Sequence, residues 1–256
     1  MLDDAVRTRS ATALASLSLV ASLVVASCAA PTTNGTGRTT SFVIGSEQDG
    51  PPTELPEVVQ LLVNNEAEDY CTGVLVSPRR VLTAAHCRVP GRATYTVRAP
   101  HAPKVNGKVQ ESPAFEAGAV AESDDFNVEV WKEDAAILDL SRPIVLDEYA
   151  TLKDVGELGE ERLRAIAVGR SEEDNEASLV KSKELEVQSG TPFGYTTGLA
   201  SRYYSSGGDS GGPLVLVDPD TGAPTHIVIG IERQPDPPSE YFTRITPKLK
   251  KLVERK

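Results

Sequence analysis

The sequence predicts an all-β fold, and its composition carries that prediction. The chain has 256 residues, with 20 glycines and 18 prolines scattered along it, which suits many short strands joined by turns better than helices. A hydrophobic content of 39% is enough for a real core and argues against global disorder. This length fits one large β unit or two small subdomains that share a cleft.

Residues 1–27 have the layout of a secretory signal peptide. Arg7 and Arg9 are followed by residues 11–25, which are uncharged and rich in Ala, Leu and Val. This run is too short to span a bilayer comfortably, and it has no polar face that would suit a core helix. It ends in Val-Ala-Ser-Cys at Cys28, which resembles the bacterial lipobox, where cleavage leaves a lipidated cysteine. The alternative is an ordinary cleavage just past Cys28, which discards it.

The three cysteines fit an exported protein. If Cys28 carries lipid, Cys71 and Cys87 remain as one pair, and an oxidising compartment allows them to bond. The loop that they close has about 15 residues, which corresponds to about 3 kcal/mol in the chain-entropy model. We therefore expect a disulfide in a lipoprotein of the bacterial cell envelope, at the outer membrane or surface.

The segments after the signal are predicted in chain order. Residues 28–42 are rich in Pro, Thr, Asn and Gly and predict a flexible tether or propeptide, so the folded domain is expected over residues 43–256. Apolar runs bounded by turn residues predict strands at 58–63, 71–76, 80–84, 95–98, 128–131, 135–140, 163–168, 185–187, 214–217 and 227–231.

Three further segments organise the predicted domain. Proline and charge in residues 139–149 indicate a link between two halves, about 43–145 and 146–245. An Asp-Pro-Asp-Thr-Gly turn within residues 217–224 predicts a hairpin. Pro247, followed by leucines and a valine at helical spacing, predicts a short C-terminal helix.

The charge of the chain excludes one class of partner. A net charge of −11 repels nucleic acid, whose binding depends on Lys and Arg. The acidic runs at 160–161 and 172–174 are typical of solvated loops, and they do not indicate a metal site. We expect neither a metal nor an organic cofactor, and we expect a monomer.

Three short motifs carry chemistry. Amide hydrolysis needs a nucleophile, a base, an acid that orients the base, and donors for the oxyanion. Thr-Ala-Ala-His-Cys supplies His86, Asp-Ala-Ala-Ile-Leu supplies Asp134, and Gly-Gly-Asp-Ser-Gly-Gly-Pro-Leu supplies Ser210. Asp139 competes with Asp134, but its apolar strand neighbours place it less well. Glycines around Ser210 allow neighbouring N–H groups to point into one pocket.

These motifs, in the order His, Asp, Ser, resemble those of the chymotrypsin/trypsin-like serine peptidases. The resemblance runs from about residue 43 to the C-terminal helix and implies two six-stranded antiparallel β-barrels with the active site between them. Residues 239–245, Ser-Glu-Tyr-Phe-Thr-Arg-Ile, resemble the family's late strand before that helix. The resemblance implies that His86 is the general base, that Asp134 orients it and that Ser210 is the nucleophile. The oxyanion hole would be formed by the N–H groups of Gly208 and Ser210, and the substrate would be a protein or peptide.

The region of the specificity pocket departs from this family. Ser206 stands where many members have a cysteine, and Tyr204 occupies the pocket-base position, where an acid would mark cleavage after Lys or Arg. Residues 231–235 lack the usual Ser-Trp-Gly, and Arg233 and Glu240 are the remaining candidates for the pocket. The resemblance therefore predicts the chemistry but not the specificity.

The resemblance also suggests an activation mechanism. Val43-Ile-Gly-Ser resembles the family's new N-terminus, which inserts and pairs with the acid before the serine, here Asp209. Cleavage after Phe42 would then also release the enzyme from its lipid anchor into the extracellular space. The alternative is an uncleaved domain that stays tethered.

Two rival functions compete with the protease interpretation. An α/β-hydrolase needs a helix directly after the serine and a later acid and histidine, whereas Gly-Gly-Pro follows Ser210 and only His226 lies downstream. A surface lipoprotein that keeps the fold as a non-catalytic binding module is the second rival. Such relatives usually lose a triad residue, and all three are present here.

Overall fold

The computed structural model describes residues 55–63, 66–87, 95–119, 134–170, 179–195, 198–202, 208–233 and 239–254. The signal segment, the tether and the strand expected at 128–131 lie outside the described residues. No helix in the described ranges is long and apolar enough to cross a membrane.

The first barrel is built from six antiparallel strands. The sheet closes in the order β1-β2-β3-β6-β5-β4, and pairing of β1 with β4 completes the ring. In β4, Tyr95, Val97 and Ala99 are buried and alternate with partly exposed neighbours, as expected when one face of a strand lines a core. The strands are β1 Val58–Val63, β2 Glu66–Ser77, β3 Arg80–Thr83, β4 Tyr95–Ala99, β5 Gln110–Ala119 and β6 Ala136–Leu140.

The second barrel also has six antiparallel strands, β8, β10, β11, β14, β13 and β12, and β8 closes it by pairing with both β10 and β12. Two short strands flank it. The strand β9 pairs antiparallel with the end of β8, and β7 pairs parallel with β13. The strands are β7 Thr151–Leu152, β8 Leu163–Arg170, β9 Leu179–Lys181, β10 Leu185–Ser189, β11 Gly198–Arg202, β12 Pro213–Val217, β13 Pro224–Glu232 and β14 Ser239–Arg244.

The predicted all-β class and the two six-stranded barrels are confirmed. The hairpin expected at residues 217–224 joins β12 to β13, with Val217 paired to Pro224. The C-terminal helix forms as α1, Pro247–Glu254, and buries Leu249. Four strands were not predicted, namely β5, β7, β9 and β11.

One buried apolar cluster takes residues from both barrels. Val59 and Leu75 of the first barrel belong to it, as do Val168, Val215 and Ile231 of the second. The barrels therefore share part of their core, and the loops that carry the predicted catalytic residues meet along their common edge.

Candidate active site

The imidazole of His86 and the carboxylate of Asp134 are brought together by two paired strands. His86 lies on the 3₁₀ turn Ala85–Cys87, just after β3, and Asp134 lies just before β6. Because β3 and β6 are antiparallel, with Thr83 opposite Ala136, the end of one strand adjoins the start of the other. Asp134 Oδ1 accepts the backbone N–H of His86 at 2.9 Å, and Oδ2 lies 2.6 Å from His86 Nδ1.

The competing carboxylate, Asp139, is committed elsewhere. It lies near the far end of β6, where its Oδ1 is 3.1 Å from Nε of Arg80 on β3. The carboxylate that lies beside the imidazole is therefore that of Asp134 and not that of Asp139.

The surroundings of Asp134 favour its ionised form. Burial opposes ionisation of this carboxyl, but the hydrogen bonds and charge of His86 and the charge of Arg233 outweigh burial and hold its pKa below the ordinary value. An ionised Asp134 accepts Nδ1–H, and this tautomer leaves Nε2 of His86 free to act as a base.

The predicted disulfide between Cys71 and Cys87 is present, with an S–S distance of 2.08 Å. It ties the turn that carries His86 to β2 of the first barrel. The two sulfurs and the His86 ring also lie within 4.8 Å of one another. Because the sulfurs are bonded to each other, they do not provide the thiolates that a metal ion would need.

Ser210 lies on a glycine-rich turn immediately before β12. The N–H of Thr72 on β2 donates to the Ser210 carbonyl at 2.8 Å, and the Thr72 hydroxyl donates to the Gly208 carbonyl at 2.8 Å. Gly208 has φ +98°, a conformation that other residues rarely adopt. The first barrel thus holds the turn on both sides of the serine.

The Ser210 hydroxyl has a protein acceptor in this structure. Its Oγ lies 3.4 Å from the carbonyl oxygen of Arg233, the residue after β13, and it donates there rather than to His86. Hydrogen bonds of a catalytic site are often long or absent without substrate, so this contact does not exclude transfer of the proton to the imidazole.

The acid before the serine is fully buried. Asp209 is 0% exposed, and its Oδ1 accepts the backbone N–H of Arg170, at the end of β8, at 2.9 Å. Its predicted partner in activation, Val43, lies outside the described residues.

The family model described as Trypsin matches residues 44–245, which is most of the chain. The chain belongs to the trypsin family. A curated relative, the trypsin of Simulium vittatum, is 28% identical over 167 residues, which are 57% of this chain and 66% of that protein. The matched part therefore spans slightly less than two thirds of this relative's own length.

Solved structures of trypsin-like folds superpose on the chain at low sequence identity. A scabies mite inactivated protease paralogue has a TM-score of 0.58 at 20% identity and covers 82% of this chain and 100% of its own. A Glu endopeptidase has a TM-score of 0.58 at 16% identity and covers 82% of this chain and 97% of its own. At such identities the comparison shows the trypsin-like fold alone, and one of the two neighbours is titled as inactivated.

The predicted pocket residues of this trypsin-family chain are only partly described. Tyr204 lies outside the described residues. The predicted lipidation site, Cys28, lies outside them as well. Glu240 is on β14, opposite Ser201 of β11, and it is 1% exposed. Arg233 lies against the carboxylate of Asp134, with Nε 3.7 Å from Oδ2.

Sequence reasoning missed the residues that support the site from behind. Thr243 on β14 bonds through its hydroxyl to both the backbone N–H and the carbonyl of Asp134, each at 3.2 Å. The hydroxyl of Tyr195 lies 3.1 Å from that of Thr243. The resemblance of residues 239–245 to the family's late strand carries no signal of a contact with Asp134.

Proposed function

We propose that this trypsin-family chain is a serine endopeptidase that hydrolyses protein substrates through an acyl-enzyme. His86 is the general base, Asp134 orients it, and Ser210 is the nucleophile. The observation that carries the proposal is the two-point contact between Asp134 and His86, at 2.9 and 2.6 Å, which fixes both the position and the tautomer of the imidazole.

The proposed reaction begins when the Ser210 hydroxyl exchanges the Arg233 carbonyl for Nε2 of His86, by rotation about its Cα–Cβ bond. Nε2 takes the proton as Oγ attacks the scissile carbonyl carbon, and the N–H groups of Gly208 and Ser210 donate to the oxyanion. The protonated imidazole then gives its proton to the leaving amine, and the acyl-enzyme forms. Water, deprotonated by His86, releases the acid and restores the serine.

Labelling by a phosphonylating inhibitor directed at serine tests this proposal. The processed protein is incubated with the reagent, and the modified residue is located by mass spectrometry. We expect one label, on Ser210, at a rate that falls on the order of 10⁴-fold in Asp134→Asn, whose imidazole is held in the wrong tautomer. Ser210→Ala is the control and takes no label.

The rival function, a binding module, predicts the opposite outcome. The fold alone does not decide between them, because a neighbour with the same architecture is titled as an inactivated protease. A folded, processed protein that does not label at Ser210 and cleaves no member of a peptide library would overturn the protease proposal and support the binding module.

We also propose that the protein is exported, lipidated at Cys28 and activated by cleavage before Val43, so that the new amino group pairs with Asp209. The support is the buried location of Asp209 and the layout of the first 43 residues. N-terminal sequencing of the active form tests the proposal. A terminus at Val43 supports coupled activation and release, whereas full activity with a lipidated Cys28 overturns it.

A further inference from the structure

The segment after β13 contacts both ends of the triad through one residue, Arg233. Its backbone N–H donates to the carbonyl of Tyr241 on β14 at 3.1 Å, and its own carbonyl accepts the Ser210 hydroxyl at 3.4 Å. The backbone of Arg233 is therefore held between β14 and Ser210.

That side chain lies against the carboxylate of Asp134. The guanidinium Nε is 3.7 Å from Asp134 Oδ2, the same oxygen that lies 2.6 Å from His86 Nδ1. The side chains of Arg233 and Asp134 are only 13% and 10% exposed, so water screens their attraction weakly. One carboxylate oxygen is thus shared between a permanent cation and the catalytic imidazole.

The guanidinium also lies close to an aromatic ring. Its Cζ lies 5.4 Å from the centroid of the Tyr195 ring, which is within the range of a cation–π contact. The Tyr195 hydroxyl meets Thr243, which in turn bonds to the backbone of Asp134. Asp134 and Arg233 are therefore braced by one polar network.

The shared oxygen has a consequence for the imidazole. The two contacts place the Arg233 guanidinium and the His86 ring nitrogen at most about 6 Å apart, where two positive charges repel appreciably inside a protein. Arginine stays charged throughout the working pH range, so the repulsion falls entirely on the protonated imidazole.

On the basis of the proposed protease function, we propose that Arg233 is a positioning residue of the triad. It keeps Asp134 ionised and aimed at Nδ1 of His86, and its permanent charge opposes a second positive charge on the imidazole. The charged groups that face the imidazole in the described part of the chain are Asp134 and Arg233. The Tyr195 ring lies beside the guanidinium, and the nearby Cys71–Cys87 disulfide does not titrate.

The test replaces Arg233 by Gln, which removes the charge but keeps a polar side chain of similar reach, and by Lys, which keeps the charge. The pH dependence of kcat/KM is measured for both variants and for the wild type. We expect the acidic limb of the kcat/KM profile of Arg233→Gln to lie about one pH unit higher than in the wild type. Removing a cation that lies at most about 6 Å from the imidazole favours the protonated ring by about tenfold. The acidic limb of Arg233→Lys should lie within a few tenths of a pH unit of the wild-type limb.

A merely structural role for Arg233 gives a different result. Activity would then fall at every pH in the Gln variant, while the acidic limb would stay where it is in the wild type. That outcome overturns the inference, and so does a Lys variant whose limb moves as far as that of Gln.

A second measurement separates this inference from the proposed protease function. The imidazole of His86 is titrated by NMR in Ser210→Ala protein, with and without Arg233→Gln, and its signal is assigned by its loss in His86→Asn. The chain has only three histidines, which keeps the spectrum simple. We expect the same upward shift of the His86 titration, and this readout needs no catalysis. An unchanged titration overturns the role of Arg233, whereas failure of the protease proposal appears only in the labelling experiment.

Discussion

Replacing Gly211 by Ala tests the close approach of the serine turn to the first barrel. A Cβ at this position would lie 2.2 Å from the Thr83 hydroxyl and 2.3 Å from the Thr72 carbonyl oxygen. The second of these atoms is backbone, so it does not move aside as the end of a flexible side chain would. Gly211 also has φ +84°, which disfavours any residue with a Cβ.

The cost follows from these two effects. The left-handed conformation costs about 1–2 kcal/mol, and the overlap adds about 1–3 kcal/mol typical of overpacking, so that we expect a loss of about 2–5 kcal/mol in the free energy of unfolding. Gly222→Ala is the matched control, because Gly222 has φ +70° and the nearest atom to its Cβ is 3.9 Å away. It should lose only the conformational part of the cost, about 1–2 kcal/mol.

The assay is urea unfolding followed by far-UV circular dichroism. Both changes are made in Ser210→Ala protein, so that self-cleavage does not disturb the measurement. If Gly211→Ala is no less stable than Gly222→Ala, the serine turn does not lie against β2 and β3 as the structure places it. The reasoning about how the first barrel positions the nucleophile would then be refuted.

Three further predictions concern single side chains. Asp134→Asn should lower kcat on the order of 10⁴-fold at neutral pH with little change in KM, measured on a cleaved peptide, because the amide selects the wrong imidazole tautomer. Thr72→Val removes the 2.8 Å hydrogen bond to the carbonyl beside the oxyanion hole, and kcat should fall about tenfold, while Thr72→Ser stays close to wild type. Glu57→Gln should gain stability relative to wild type as the pH rises from 4 to 8 in urea unfolding, because burial raises the pKa of Glu57 although His226 opposes the shift and Glu148 adds to it.

The sign of the Glu57 prediction follows from its titration. Below the ordinary pKa of 4.5 the Glu57 carboxyl is protonated in both the folded and the unfolded state. Above it the carboxyl ionises readily in the unfolded chain, whereas burial opposes its ionisation in the folded protein, so the wild type loses stability as the pH rises towards the folded-state pKa. If the difference in the free energy of unfolding between Glu57→Gln and the wild type is constant from pH 4 to 8, the prediction for Glu57 is wrong. For the other two, equal kcat values in wild type and Asp134→Asn, or equal losses in Thr72→Val and Thr72→Ser, are the contradicting results.

The strands that sequence reasoning found are those with continuous apolar runs, such as β1 and β13. It missed β5 because Pro113 and several polar residues interrupt the pattern, and Pro113 is accommodated opposite Thr96 of β4. It missed β11 because Gly-Leu-Ala-Ser-Arg contains few large apolar residues, although the strand is buried between β10 and β14. Such strands are specified by their neighbours across the sheet, which lie far away in the sequence.

The same distinction separates the predictable part of the candidate site from the rest. His86 and Ser210 lie in short motifs whose local chemistry is visible in the sequence. The contact of Arg233 with Asp134 depends on how the end of β13 in one barrel meets the start of β6 in the other. No local sequence pattern indicates that the two strand ends lie together. For this reason the sequence suggested that Arg233 lines the specificity pocket and not that it contacts Asp134.

Arg233 performs two separable tasks, and this separation makes its role testable. Its carbonyl is the acceptor for the Ser210 hydroxyl, and it remains in any side-chain variant, whereas its guanidinium lies against Asp134 and is lost in Arg233→Gln. A change confined to the acidic limb of the pH profile must therefore come from the charge. In a protein with net charge −11, this largely buried cation gives the Asp134–His86 pair a positive neighbour, so the charge beside the pair is opposite in sign to that of the whole chain.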